Sequence, residues 1–311
     1  MSALEVLKQV FPVYLLIIGG AVARKAGLVK RGNDDAVLQL VFHVMYPCFI
    51  LDKILGAESV RSFGTVAWGL GTGFGLTVGG FTLAWLAAGV LRYQRGHGKR
   101  TFAVTAGVQN FGYTAIPVVE SLWGTGALAV LFVHNLGVEL AVWSVGVMLM
   151  SGDKSIPWRR VINGPTVSVL LGLTLVGLGW DRRVTGPPRE AMHWLGAGAF
   201  PLAIFVTGAL MIDLIGTERP TLKASLGGVA MRLALIPLVM LAVAKWLPMP
   251  VALKQVVMVQ ASMPAAMTPI LLAKLYGGRP AVAVEIVVAT TVASLVTLPF
   301  VLLWGRAWLG L

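Results

Sequence analysis

The sequence predicts an all-α polytopic membrane protein: ten transmembrane helices in two inverted five-helix repeats, with two broken helices that cross. Three observations carry this. The 311 residues are 57% hydrophobic and 12% charged, with a mean hydropathy of +0.82, whereas about a quarter of residues in soluble domains are charged. Apolar stretches of about 20 residues, the length that crosses a bilayer, recur along the chain, and ten can be counted. Two of them are interrupted in the same way, at Val108 to Pro117 and at Val259 to Pro269.

Span 1 runs from about Leu4 to Ala23, with Phe11-Pro12 inside it, and stops at the basic loop Arg24 to Arg31. Span 2 follows Asn33-Asp34-Asp35, residues that start helices, and continues to about Ile54 through Tyr46-Pro47. Span 3, about Ser62 to Leu91, is rich in glycine, and small residues let helix backbones approach closely in lipid. Span 4 is the first broken helix, and span 5 runs from about Ala127 to Met150. The short loop Ser151 to Pro157 is the midpoint. Span 6 opens at Ile162-Asn163-Gly164-Pro165 and reaches Trp180; span 7 holds Phe200-Pro201 and ends near Asp213. Span 8 surrounds Arg232 from about Ala224 to Trp246, span 9 is the second broken helix, and span 10 runs from Pro280 to about Trp308. Five spans therefore precede the midpoint, in residues 1–150, and five follow it, in residues 158–311. An odd number per half gives the halves opposite orientations. Pro12, Pro47 and Pro117 match Pro165, Pro201 and Pro269 in order.

Charge sets the expected orientation. The formal net charge is +12, yet the bases sit in short loops between apolar spans, so nucleic acid is not expected as a partner. Fifteen lie on one side, among them Arg24, Arg31, Arg92, Arg95, Lys154, Arg159, Arg160, Arg219, Lys274 and Arg279, against nine on the other. The positive-inside rule then puts both termini outside the cytoplasm, in a plasma or inner membrane. Trp158, Trp180, Trp246 and Trp308 fall at span ends, as interfacial tryptophans do. The single Cys48 permits no internal disulfide, and His43, His97, His134 and His193 lack metal-ligand spacing. No cofactor and no metal are expected.

The breaks define the candidate site. Prolines remove backbone donors and clash with the preceding turn, so neither interrupted helix continues. The first runs Val108-Gln109-Asn110-Phe111-Gly112-Tyr113-Thr114-Ala115-Ile116-Pro117, and the second Val259-Gln260-Ala261-Ser262-Met263-Pro264-Ala265-Ala266-Met267-Thr268-Pro269. Each begins at a Val-Gln pair and is followed by an aromatic-Gly pair, Trp123-Gly124 or Tyr276-Gly277. Unwound backbone at membrane depth is tolerated only where it is buried in protein or lines a cavity. A new half-helix, starting near Val118 or Ile270, turns free amides and about half a positive charge toward that cavity, which suits an anion. Gln109, Asn110, Thr114, Gln260, Ser262 and Thr268 supply side-chain hydrogen bonds there, either to a ligand or to the broken backbone itself.

These residues resemble the auxin efflux carrier family, the plant PIN carriers and bacterial organic-anion permeases, itself related to the bile acid/sodium symporters. Asn163-Gly164-Pro165 resembles the opening of the family's sixth helix, and Met231-Arg232 with Pro237 its eighth. Gln260 to Pro264, Pro269 and Ala273-Lys274-Leu275-Tyr276 resemble its ninth-helix crossover; Gln109-Asn110, Gly112 and Ile116-Pro117 resemble the fourth. The resemblance implies a scaffold domain (spans 1, 2, 6 and 7) and a transport domain (spans 3 to 5 and 8 to 10), an elevator-type movement, and an organic acid as cargo. The short midpoint loop departs from the long loop of many plant carriers and favours a bacterial-type member.

Charged residues inside spans are costly unless paired or hydrated, about 3 kcal/mol each at the centre. Arg232 is therefore expected to bond backbone carbonyls at a crossover, or Glu139 or Glu285, or a substrate carboxylate. Glu120 and Glu285, near span ends, are expected to reach water, while Glu139, the deepest, is the carboxylate best placed to carry coupling. His43 and His134 are expected as neutral core histidines. The expected activity is secondary transport, or facilitated passage, of a small organic anion, with proton or sodium as coupling ion, the bilayer as surroundings and a second copy as a homodimer partner. A sodium-coupled symporter of the bile-acid type is one alternative. A membrane enzyme is the other, although no catalytic grouping, metal motif or nucleotide loop appears.

Overall fold

A computed structural model describes residues 3–32, 34–93, 97–112, 114–153, 162–214 and 221–311. Asn33, Arg95, Tyr113, Lys154, Trp158, Arg159, Arg160 and Arg219 lie outside the described residues. Among the described residues there are helices and no strand. In chain order they are α1 (Ala3–Lys25), α2 (Asp34–Leu40), α3 (Tyr46–Ile54), α4 (Phe63–Val90), α5 (His97–Gly107), α6 (Ala115–Ala141), α7 (Val147–Ser151), α8 (Gly164–Gly177), α9 (Pro187–Ala197), α10 (Ala199–Leu214), α11 (Leu222–Ala230), α12 (Ile236–Trp246), α13 (Val251–Ser262), α14 (Thr268–Leu275) and α15 (Pro280–Leu309). Six helical runs among the described residues are long and apolar enough to cross a membrane, and two more apolar helices, α8 and α13, are shorter.

Three of the long runs pass through a π-helical turn, at Val41–Met45, Val142–Gly146 and Met231–Leu235. Proline explains two of them. Pro47 and Pro237 cannot donate to the carbonyl four residues back, and the bond just before each slips by one residue: Tyr46 N–H donates to Val41 O, and Ile236 N–H to Met231 O. In the third, the Ser144 hydroxyl donates to Leu140 O and so inserts into the helical ladder.

Glycine sets how closely the helices pack. α4 lies along α6, where a Cβ on Gly73 would fall 2.0 Å from His134 O and one on Gly137 2.2 Å from Leu70 O. α1 lies along α10 in the same manner, through Gly20 and Gly208. Without a hydrophobic drive between helices in lipid, such close packing is one of the forces that hold helices together, beside interhelical hydrogen bonds.

The strongest helix contacts fall within two sets. α1 packs on α10, and α3 on α8 and α9. α4 packs on α5 and α6; α13 packs on α6, α12 and α15; α11 packs on α15. The two sets meet where α1, α3 and α8 touch α6 and where α1 touches α15, with Tyr14 and Ser294 hydroxyls 3.1 Å apart.

Candidate functional site

The two interrupted segments run antiparallel against each other, buried, and complete each other's backbone bonding. Gln109 and Ala265 form an antiparallel bridge. Asn110 N–H donates to Pro264 O at 2.7 Å, and Ala266 N–H to Val108 O at 3.2 Å. Ala265 N–H finds the Thr290 hydroxyl at 3.1 Å. Groups that a continuous helix would satisfy internally are thus satisfied across the break, as burial in a membrane protein demands.

The second half-helices begin at Ala115 and Thr268, earlier than the expected starts near Val118 and Ile270. The Ile270 amide is already bonded to Met267 O at 2.9 Å, because Pro269 fits the first turn and the helix therefore starts before it. Gly124 ends the first of these half-helices at φ 70° and ψ −163°, and Gly277 follows the second at φ 72°. Both belong to the aromatic-Gly pairs, and glycine enters this region without the Cβ penalty.

A cavity of about 1050 Å³ opens beside the crossover. Asn110, Gly112, Met267 and Thr268 border it from the two breaks, and Phe42, Tyr46, Phe111 and Trp143 give it aromatic walls. Of the sequence-predicted residues, Asn110, Gly112 and Thr268 therefore reach this cavity, while Gln109, Thr114, Pro117, Gln260, Ser262, Pro264 and Pro269 do not border it. Asn110 Nδ2 donates to Thr114 Oγ1 at 3.2 Å, which fixes the carboxamide at the cavity edge. Gln260 and Ser262 are buried behind it: Gln260 Nε2 donates to Asn135 Oδ1 at 2.8 Å, and Ser262 Oγ to Val259 O at 2.7 Å. Asn135 Nδ2 in turn donates to Phe111 O at 2.8 Å. This Gln260–Asn135–Phe111 chain ties both breaks to α6. Sequence reading did not single out Asn135; the signal was present as a carboxamide in the middle of an apolar span, beside His134.

Arg232 is fully buried, and its Nη2 donates to Gln260 O at 3.4 Å and Ala261 O at 3.3 Å. These are among the last carbonyls of α13, the end that carries the helix's partial negative charge. Glu139 and Glu285 have other partners. Glu139 Oε2 accepts from Asn163 Nδ2 at 3.0 Å and Thr166 Oγ1 at 2.9 Å. Glu285 accepts from the Ser225 and Thr221 hydroxyls at 2.7 and 3.0 Å. Glu120 pairs with Lys53 at 2.7 Å. Glu139 alone of these carboxylates borders the cavity.

His134 is a core residue, its Nδ1 3.3 Å from Thr72 Oγ1. His43 departs from the core position expected of it. It lies on the π-helical turn, exposed on the helix face that borders the cavity, with Nδ1 3.0 Å from Gln39 O.

Comparison with curated proteins finds no match to the chain. A family model described as membrane transport protein matches it over residues 5–156 and 148–302, nearly the whole length. With its apolar helices this makes it a multi-pass membrane protein. The chain belongs to the membrane transport protein family, whose members are auxin efflux carrier-like transporters.

Proposed function

We propose that this transporter carries a small organic anion, a carboxylate in the first instance, through the cavity beside the crossover. The observation that carries the reading is the cavity itself: its edge holds the Asn110 carboxamide and the half-helix start at Met267 and Thr268, beside aromatic walls suited to an organic body. Among the described residues no Lys or Arg borders it, and His43 is the one ionisable nitrogen at its wall, so selectivity for an anion would come mainly from oriented amides and dipoles.

The proposed architecture is ten spans in two inverted five-helix repeats. α5 with the start of α6 forms span 4, the rest of α6 with α7 span 5, and α13 with α14 span 9. The antiparallel passage of the two breaks at Gln109 and Ala265 supports it, since equivalent segments of inverted halves run in opposite directions. The α1, α3, α8, α9 and α10 group is the proposed scaffold and the other group the proposed moving part of an elevator. Sparse contact between them, mostly through α6 and α15, supports that division. Gln39, Ile162 and Leu275 border the cavity near the basic loops, so in this reading it opens to the cytoplasm of a plasma or inner membrane.

The test is a thermal-shift screen of the purified protein against mono- and dicarboxylates and auxin-like acids, with and without sodium, at two pH values. Stabilisation by a carboxylate, growing with its concentration, is expected. A screen in which neutral amides stabilise as well as their acids would overturn the anion reading.

A further inference from the structure

Glu139 is a bridge between the two helix groups. It projects from α6, which packs on α4 and α13, yet its carboxylate is held by Asn163 and Thr166 at the start of α8, on the other group. Asn163 is also the N-cap of α8, its Oδ1 accepting from Thr166 N–H at 2.9 Å. The carboxylate therefore rests at the positive end of a helix, with both hydrogen bonds on one oxygen, Oε2. It also borders the large cavity, so water reaches its surroundings.

We propose that Glu139 is the proton-binding site that couples movement of the two helix groups to pH. The inference rests on the transport reading, since it needs the groups to move past each other. Docked, the carboxylate has two donors and a helix end, each of which favours the ionised form against the cost of burial. When α6 leaves α8 those donors are lost, and the neutral acid becomes the cheaper form in an apolar setting. A proton from cavity water then forms an O–H bond on the carboxylate, and no other bond is made or broken. By linkage, acid favours the separated arrangement and alkali the docked one.

The neighbours that titrate or carry charge can be named. His43 and Tyr46 face the same cavity from the α2–α3 run. From α8 the contacts are the neutral Asn163 and Thr166. On α14 the exposed Lys274 precedes cavity residue Leu275. On α3 Asp52 is tied to Arg189 and Lys53 to Glu120. α4 meets α6 at Thr72 and His134, and α13 meets it at Gln260.

The experiment uses the full chain in lipid nanodiscs, with Cys48→Ser and spin labels at Leu171 on α8 and Val292 on α15, both exposed positions. Dipolar distances are read at mildly acidic and mildly alkaline pH. A second distance that grows severalfold on acidification is expected in the parent. Glu139→Gln, which mimics the neutral acid, should give the acid distribution at both pH values, and His43→Gln should keep the parent's response. A Glu139→Gln protein that responds to pH like the parent, or a parent with one distance throughout, would overturn the proposal. Thermal shifts with acetate, benzoate, succinate and indole-3-acetate on the same samples separate the two readings. Stabilisation without a pH response leaves the anion site and removes the coupling; a pH response without stabilisation does the reverse.

Discussion

At the scale of single residues, Asn110 and Arg232 divide two tasks that both follow from a broken helix. The Asn110 amide holds Pro264 O through the backbone, and that bond survives truncation of the side chain. Asn110→Ala should therefore fold and lose anion affinity by about 1 to 3 kcal/mol, the range for a hydrogen bond to a charged group. Titration calorimetry with a carboxylate identified in the screen checks it; parent affinity in the folded variant would leave Asn110 as support for Thr114 alone. Arg232 lies away from the cavity and bonds the last carbonyls of α13. Arg232→Met should lower the midpoint of thermal unfolding, by the equivalent of about 1 to 3 kcal/mol for the loss of the charged donor from Ala261 O, while Gln260 O keeps the Met263 amide and the folded fraction keeps its affinity. A loss of affinity without a loss of stability would place the guanidinium on the substrate.

At the scale of elements, the breaks act through geometry. Pro264→Ala with Pro269→Ala restores two donors to the stretch between α13 and α14 and lets the helix continue. That withdraws Pro264 O from Asn110 and turns the Thr268 end away from the cavity. Affinity should fall although no charge is removed, and an unchanged dissociation constant in the monodisperse double variant would mean that the crossover is not the anion site. Helix contact makes a second prediction. Gly73→Ala puts a Cβ 2.0 Å from His134 O, so α4 and α6 must separate. Overpacking of this kind costs about 1 to 3 kcal/mol or more. Gly75→Ala, with open space at its Cβ, should be nearly silent in the same thermal unfolding measurement.

At the scale of the whole molecule, the ten-span reading places both termini on one side, and the charge bias of the loops places that side outside. A tag at either end should react with an impermeant reagent in intact cells, and protection of both tags would sink the topology.

The sequence by itself determined that this chain belongs in a bilayer, where its helices break, and that small residues crowd span 3. Composition, proline and glycine act locally, through hydropathy, the missing donor and the missing Cβ, and such effects are written in the residues themselves. Tertiary structure decided what each polar side chain meets. Gln109, Asn110 and Gln260 are alike in sequence context, yet only Asn110 reaches the cavity, because the antiparallel passage of the two breaks turns its neighbours inward. Arg232 and Glu139, both charged and both within spans, were equally available to each other. Distance along the chain carries no information on which helix lies opposite, and the fold sent one to the end of α13 and the other to the start of α8.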